Sequence, residues 1–220
     1  MRVLITGGSR GIGKAVMKKY EEEGHITICP AREELDLLDK DSVLAFIQKY
    51  EKETFDCIIN NAGINPLNLI EDISVDDLYD CIQVNLLSPA LLVRSLVRGM
   101  KAQERGYIIN IGSIWGVVSK EKRAAYSMSK NGIHGLTNTL AVELGQYNIL
   151  VNTVCPGFTK TELTAQNVPP ELEKELCLEV PLGRFAQPEE IANIIYWLGS
   201  ENNTYLTGQK VVVDGGFTVR

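Results

Sequence analysis

A glycine-rich turn between a short strand and a helix constrains this chain more than any other stretch. Val3 to Ile5 is a β-branched, apolar run of the kind found in parallel strands covered on both faces. It leads directly into Thr6-Gly7-Gly8-Ser9-Arg10-Gly11-Ile12-Gly13, then a helical pattern to about Glu23, with Gly24 placed to end it. Strand, glycine turn and helix together predict a phosphate cradle. Glycines admit close backbone approach, and a helix N-terminus offers free N–H groups and the positive end of its dipole. No Gly-Lys-Ser/Thr follows, so this is not a Walker A loop. Gly7, Gly11 and Gly13 are spaced G-x-x-x-G-x-G, unlike the usual dinucleotide fingerprint. A plain tight turn is the bland alternative; the position between strand and helix favours dinucleotide binding.

Further strands alternate with helical patterns along the rest of the chain. Ile26 to Cys29 is a second strand, and Leu35 to Asp39 follows after too few residues to hold a crossover helix. This part of the sheet is therefore expected to be abbreviated. A helix is predicted from about Asp41 to Glu53, then the strand Cys57 to Asn60 ending in Asn60-Asn61-Ala62-Gly63. Ser74, three residues before Asp77, predicts an N-cap for a helix running to about Met100 with Asn85 in its middle. The strand Tyr107 to Ile111, the Ser113 loop, a helix from Tyr126 to about Leu144, and the strand Leu150 to Val154 follow. Pro156-Gly157 breaks the chain, and 158–185 reads as an irregular, acidic segment suited to a mobile lid. Pro188-Glu189-Glu190 opens a helix with the apolar stripe Ile191, Ile194, Ile195, Leu198, and Lys210 to Val213 is a final strand. The whole predicts one α/β domain, 1–220, built on a doubly wound parallel sheet that lacks the helix after its second strand.

Tyr126 and Lys130 are four residues apart, on one face of a helix. An ammonium at about 4 Å and an effective dielectric of about 20 would favour the phenolate by up to about 4 kcal/mol. The spacing therefore predicts a tyrosine titrating towards neutral pH, useful as an acid/base catalyst. Ser113, just after a strand, could hydrogen-bond a substrate carbonyl. Two surface residues one turn apart are the plainer reading of the pair taken alone. A net charge of −6 and a pI near 5.1 argue against nucleic acid and anionic membranes as partners. No apolar run is expected to span a bilayer, and the N-terminus lacks a signal-peptide core. Cys29, Cys57, Cys81, Cys155 and Cys177 never form C-x-x-C, which fits thiols of a reducing cytoplasm and no metal site. His25 and His134 are too isolated to be ligands.

TGGSRGIG (6–13), NNAG (60–63), Asn85, Ser113, YSMSK (126–130) and Pro156-Gly157, in this order and spacing, resemble the short-chain dehydrogenase/reductase family. The resemblance covers essentially the whole chain. VPLGRFAQPEEIA (180–192) and YLTGQKVVVDGG (205–216) look most like its 3-oxoacyl-acyl-carrier-protein reductase branch, a likeness shared by reductases with other substrates. The resemblance implies a Rossmann-like fold with the site at the strands' C-terminal ends. It also implies that Tyr126 donates a proton as hydride arrives from a nicotinamide. Ser113 would hold the carbonyl oxygen, Lys130 would lower the Tyr126 pKa and bind the nicotinamide ribose, and Asn85 would support a proton-relay water. Gly7, Ser9, Arg10, Gly11, Ile12 and Gly13 would face the pyrophosphate and adenosine ribose, and Asp36 and Leu37 the adenine. Asn61, Ala62 and Gly63 would line the far edge, and Pro156, Gly157 and Thr159 the carboxamide side.

The second strand ends Cys29-Pro30-Ala31 with no acid, and Arg32 follows. With Arg10 in the glycine loop, this favours the 2′-phosphate of NADP(H), though Glu33 and Glu34 oppose it and NAD(H) stays possible. The two arginines with which carrier-protein reductases grip their carrier near the active-site mouth are replaced by Glu104 and Tyr147, so an acyl-carrier protein is a doubtful partner. A small carbonyl or alcohol is the expected substrate, in a pocket that Trp115, Phe158 and Leu163 make partly apolar. Lys120, Lys122 and Arg123 could receive an anionic substrate, a solvated loop being the preferred reading. The family also implies a homodimer or homotetramer pairing the Asn85 and Tyr126 helices, for which Leu86, Leu87, Leu91, Leu92, Ile133, Leu136 and Leu140 supply apolar surface that could equally be core. An epimerase or dehydratase of the same family is the alternative, weakened by the compact length. A silent dinucleotide-binding sensor would be expected to lack Ser113, Tyr126 or Lys130.

Overall fold

The computed structural model describes residues 1–220. Six strands pair in parallel in the order β2-β1-β3-β4-β5-β6: β1 Arg2–Ile5, β2 Ile26–Ile28, β3 Cys57–Asn60, β4 Gly106–Ile111, β5 Ile149–Pro156 and β6 Lys210–Val213. Alternate residues of the apolar strands feed opposite layers, as the two-residue repeat requires. Leu4, Ile58 and Ile108 point into one core with Phe46, Leu92, Leu96 and Met100. Val3, Ile5, Cys57, Ile59 and Ile109 point into the other with Val16, Tyr20, Ile191, Ile195 and Leu198. The helices α1 (Gly11–Glu22) and α8 (Pro188–Leu198) cover this second face, and α2 (Lys40–Tyr50), α4 (Ser88–Ala102) and α5 (Ala124–Leu144) the first. The doubly wound single domain is as expected.

The abbreviation after the second strand goes further than a missing helix. Leu35 to Asp39 forms turns rather than a strand, so β2 is the edge of the sheet. Leu35 and Leu37 are buried in the first core, and Asp39 caps α2 by accepting from the Asp41 N–H at 2.9 Å.

The helix containing Asn85 also differs from expectation. Ser74 caps α3 (Val75–Ile82), accepting from the Asp77 N–H at 3.0 Å, and a π-helical turn at Gln83–Leu87 joins α3 to α4. Pro89 has no N–H to offer the Asn85 carbonyl four residues before it, which accounts for a widened turn there; such turns concentrate at functional sites. Val75–Ala102 is, by length and composition, apolar enough to cross a membrane, a correction to the expectation that no stretch is. Half of its apolar window is buried in the fold, where Leu92, Val93, Leu96 and Met100 pack into the core.

Residues 158–185 are helical rather than irregular: α6 is Glu162–Asn167 and α7 is Pro170–Glu179. Thr161 caps α6, accepting from the Thr164 N–H at 3.2 Å. Val168, Leu176 and Phe185 form a small separate core. Both ends of the excursion are tied together, Lys160 N–H donating to the Ala186 carbonyl and Ala186 N–H to the Phe158 carbonyl, each at 2.9 Å.

The seam between β1 and β3 is the topological switch point of the sheet and closes most tightly of all. The Thr6 hydroxyl accepts from the N–H groups of Asn61 (3.0 Å) and Ala62 (3.1 Å), and the Asn61 amide donates to the carbonyls of Thr6 (2.9 Å) and Gly7 (3.1 Å). A Cβ on Gly13 would stand 2.2 Å from the Gly7 carbonyl oxygen. Gly13→Ala must therefore displace backbone and is expected to cost about 1–3 kcal/mol, read as a lower urea midpoint at unchanged slope. An unchanged midpoint would show that the seam is not close-packed.

Candidate active site

A cleft of ≈ 320 Å³ opens at the C-terminal ends of β1, β3, β4 and β5, where ligands bind in open α/β sheets. One end is the glycine turn: Gly7, Ser9, Arg10, Gly11, Ile12 and Gly13 line it, facing Asn61, Ala62 and Gly63. Gly7 and Gly11 hold φ of 67° and 51°, the left-handed region that a side chain disfavours. The first turn of α1 carries no acid, and the exposed Arg10 makes no capping bond with its side chain. This is a cradle suited to a dinucleotide pyrophosphate.

The other end holds the catalytic candidates. Ser113 follows β4 and its hydroxyl accepts from the Trp115 N–H at 3.1 Å, which leaves its own proton to donate. Tyr126 lies in the first turn of α5 and is 9% exposed; Lys130, one turn on, is 4% exposed. The Lys130 ammonium donates to the Ile111 carbonyl at 2.7 Å and stands 5.5 Å from the centre of the Tyr126 ring. Pro156, Gly157, Phe158 and Thr159 close the side formed by β5. A buried chain of hydrogen bonds fixes α5 on the sheet: Asn60 donates to Asn110 (2.8 Å), Asn110 to Thr137 (2.8 Å), and Thr137 meets Thr153 (2.7 Å).

The electrostatics correct one expectation. Burial pushes the Tyr126 hydroxyl up to about 12, with the Ser113 hydrogen bond and the Arg123 charge pulling it back. Burial also brings Lys130 down to about 8, against a smaller upward pull from Cys81 and Cys155. Desolvation outweighs the ammonium–phenol attraction, so in the unliganded protein Tyr126 is a phenol carrying its proton beside a lysine still mostly charged at pH 7.

Asn85 is 2% exposed and stands behind the cleft. Its side chain accepts from the Ile64 N–H (2.9 Å) and donates to the Ile64 carbonyl (2.9 Å) and the Ser129 hydroxyl (3.0 Å), so it clamps the 60–63 loop to α5. Arg32, Asp36 and Leu37 do not line the cleft. Arg32 pairs with Asp36 at 3.0 Å near the edge strand, Asp36 also accepts from the Leu38 N–H, and the Leu37 side chain is core. Their turns are held against α2 and α4, the Asp36 N–H donating to the Ser42 hydroxyl at 2.9 Å and the Ser88 hydroxyl to the Leu37 carbonyl at 2.7 Å. Of the basic run, Lys120 and Lys122 are exposed, whereas Arg123 lines the cleft. Asn65, Thr161, Glu162, Thr164 and Asn167 also line it, without having stood out in the sequence. For the last four, at the cap of α6 and along it, the Thr161-x-x-Thr164 capping pattern was the available signal. Glu104 and Tyr147 lie just ahead of β4 and β5, at the sheet's opposite end from the cleft. They do not flank the mouth within this chain, so they give no ground for doubting an acyl-carrier substrate.

A family model described as enoyl-(acyl carrier protein) reductase matches residues 13–218. The 3-oxoacyl-acyl-carrier-protein reductase FabG of Aquifex aeolicus is 34% identical, over 97% of this chain and 95% of that protein. The chain belongs to the short-chain dehydrogenase/reductase family. Two solved members superpose over 100% of the chain. One is a 4-hydroxyisoleucine dehydrogenase complexed with NADH, at TM-score 0.93 and 29% identity. The other is a gluconate 5-dehydrogenase from Burkholderia cenocepacia with NADP and tartrate, at TM-score 0.87, 27% identity and 95% of that chain. This family member is thus an NAD(P)-dependent oxidoreductase, with a glycine cradle and a Ser113, Tyr126, Lys130 cluster at opposite ends of one cleft.

Because Tyr126 keeps its proton to about pH 12, absorbance titration of tyrosinate up to about pH 11 should be superimposable for wild type and Tyr126→Phe. One fewer tyrosinate forming near neutral pH in the variant would mean that Lys130 outweighs burial.

Proposed function

We propose that the chain reduces a carbonyl to a secondary alcohol with NADP(H), and oxidises the alcohol in reverse. The observation that carries this reading is the joining of the glycine cradle to Ser113, Tyr126 and Lys130 within a single cleft. The bound nicotinamide would supply or accept the hydride at the carbonyl carbon. Ser113 donates a hydrogen bond to the carbonyl oxygen, using the proton that its contact with Trp115 leaves free. Tyr126, protonated at neutral pH, gives that oxygen its proton. Lys130 spends one N–H on Ile111 and keeps two for the cofactor ribose and the returning proton. Asn85 holds the loop against which the cofactor would lie; the relay-water role assigned to it by resemblance is part of the same proposal.

Arg10 favours NADP(H) over NAD(H), because its exposed guanidinium at the cradle can take a 2′-phosphate bidentately. Named relatives occur with either dinucleotide. The excursion from Phe158 to Ala186 acts as a lid: its ends are tied, and Thr161 and Glu162 stand over Gly11, the Glu162 carboxylate 3.6 Å from where a Cβ would be. An acid there opposes a pyrophosphate, so the lid shifts when the cofactor binds. Leu92 and Ile133 are core, while Leu86, Leu91, Leu136 and Leu140 are half-buried and Leu87 exposed, an apolar surface that supports dimerisation through α4 and α5. The uncrosslinked cysteines support a cytoplasmic site of action. The substrate is a small carbonyl compound or an acyl-carrier thioester of the kind that names the relatives.

Loss of NADPH absorbance with a panel of ketones and 3-oxoacyl thioesters tests the reaction; no consumption with any of them would refute it. Arg10→Ala should lower the NADPH/NADH preference by about 10- to 100-fold, the scale of one charge-assisted contact. Wild-type protein binding NADH as tightly as NADPH at low salt would contradict that assignment. Lys130→Ala should weaken both turnover and cofactor binding, and unchanged binding would remove the ribose contact.

A further inference from the structure

Arg123 differs from its basic neighbours in the run 120–123. Lys120 and Lys122 are exposed, and Lys122 turns the chain through the left-handed region at φ 62°. Arg123, next in the chain, lies across the Trp115 ring, its guanidinium carbon 5.5 Å from the centroid, and lines the cleft beside Tyr126 and Ser113. One terminal nitrogen is buried without any hydrogen-bond partner. It has no carboxylate in ion-pair range, and burial works against its charge. Stacking on Trp115 accounts for the face of the guanidinium, since a cation is attracted to the ring. It leaves the in-plane N–H donors unserved, and burying an unpaired donor of this kind is unfavourable. Asn65, from the loop after β3, lines the same cleft, and its side-chain oxygen is also buried without a partner. Two orphaned polar groups, one cationic donor and one acceptor, thus belong to residues that line the cleft shared by Ser113 and Tyr126.

We propose that Arg123 binds a carboxylate of the substrate, with Asn65 taking a neighbouring hydroxyl, so that the carbonyl reduced at Tyr126 belongs to a small oxo acid and the product is a hydroxy acid. A planar guanidinium matches a carboxylate bidentately. A single unpaired cation suits one negative charge better than the two of a phosphate. The contact also orients the substrate: with its acid end on Arg123 and its ketone oxygen between Ser113 and Tyr126, only one face of the carbonyl meets the cradle side of the cleft.

The proposal rests on the reductase reading for the reaction, but carboxylate binding is measurable without it. Wild-type protein with NADPH is given oxo acids differing in the spacing between ketone and carboxylate, each beside its methyl ester, with an oxoalkyl phosphate and a 3-oxobutanoyl thioester as further arms. At the favoured spacing the acid should exceed its ester in kcat/KM by about 10- to 100-fold, mostly through KM. Arg123→Gln should bring that ratio close to one, and Arg123→Lys should restore part of it. Binding is read separately, without cofactor, from Trp115 fluorescence in a Trp197→Phe background: the hydroxy acid should change it, the ester should not, and Arg123→Gln should abolish the response. Esters used as well as acids, a preference for the phosphate or the thioester, or an acid preference surviving in Arg123→Gln would each overturn the proposal. A fluorescence response to acids with no turnover of any carbonyl would support the carboxylate site and sink the reductase reading instead.

Discussion

The 2.7 Å hydrogen bond from the buried Lys130 ammonium to the Ile111 carbonyl is the contact on which the catalytic end of the molecule depends. A lysine out of water must be held by dipoles or give up its proton. Here the last carbonyl of β4 does the holding, and the lysine stays mostly charged at neutral pH because its pKa falls only to about 8. The bond sets α5 over the end of β4, which brings Tyr126, one turn earlier, opposite Ser113. Close packing enforces the position. A Cβ on Gly116 would come within 3.0 Å of the Lys130 carbonyl, and one on Gly112 within 2.6 Å of the Cys155 sulfur.

The two ends of the cleft are built differently. The cradle is a backbone device, whose glycines clear space and whose helix N-terminus attracts negative charge. The other end is a device of buried side chains, in which Tyr126 and Lys130 are both pushed towards their neutral forms. A phenol holding its proton suits the reductive direction, where a proton must be given to the carbonyl oxygen. Between the ends, Asn85 works from behind, its side chain bonding both Ile64, just after the 60–63 loop, and Ser129 of α5.

Much of this was legible in the sequence because parallel strands buried on both faces are written as unbroken apolar runs. Val3–Ile5, Cys57–Asn60 and Tyr107–Ile111 read directly as β1, β3 and β4, and the motifs at their ends line one cleft. What was not legible depends on burial and on the loss of neighbours. Spacing puts Lys130 one turn from Tyr126 but says nothing of desolvation, which reverses the direction of the tyrosine's shift. Leu35-Asp36-Leu37 has the pattern of a buried segment, yet its leucines enter the core from a turn, so Asp36 and Leu37 do not face the cleft. The widened turn around Asn85 could be suspected only from Pro89. Arg123 looked like its exposed neighbours Lys120 and Lys122 until the turn at Lys122 placed it inside.

The central claim is that Tyr126 is the proton donor of a hydride transfer whose cofactor site is independent of it. Single-turnover reduction by Tyr126→Phe, with NADPH affinity measured on the same preparation, tests this most directly. The account predicts unchanged affinity and a rate lower by at least about 10²–10⁴-fold, the usual contribution of a positioned general acid. Near-wild-type turnover in that variant would contradict it.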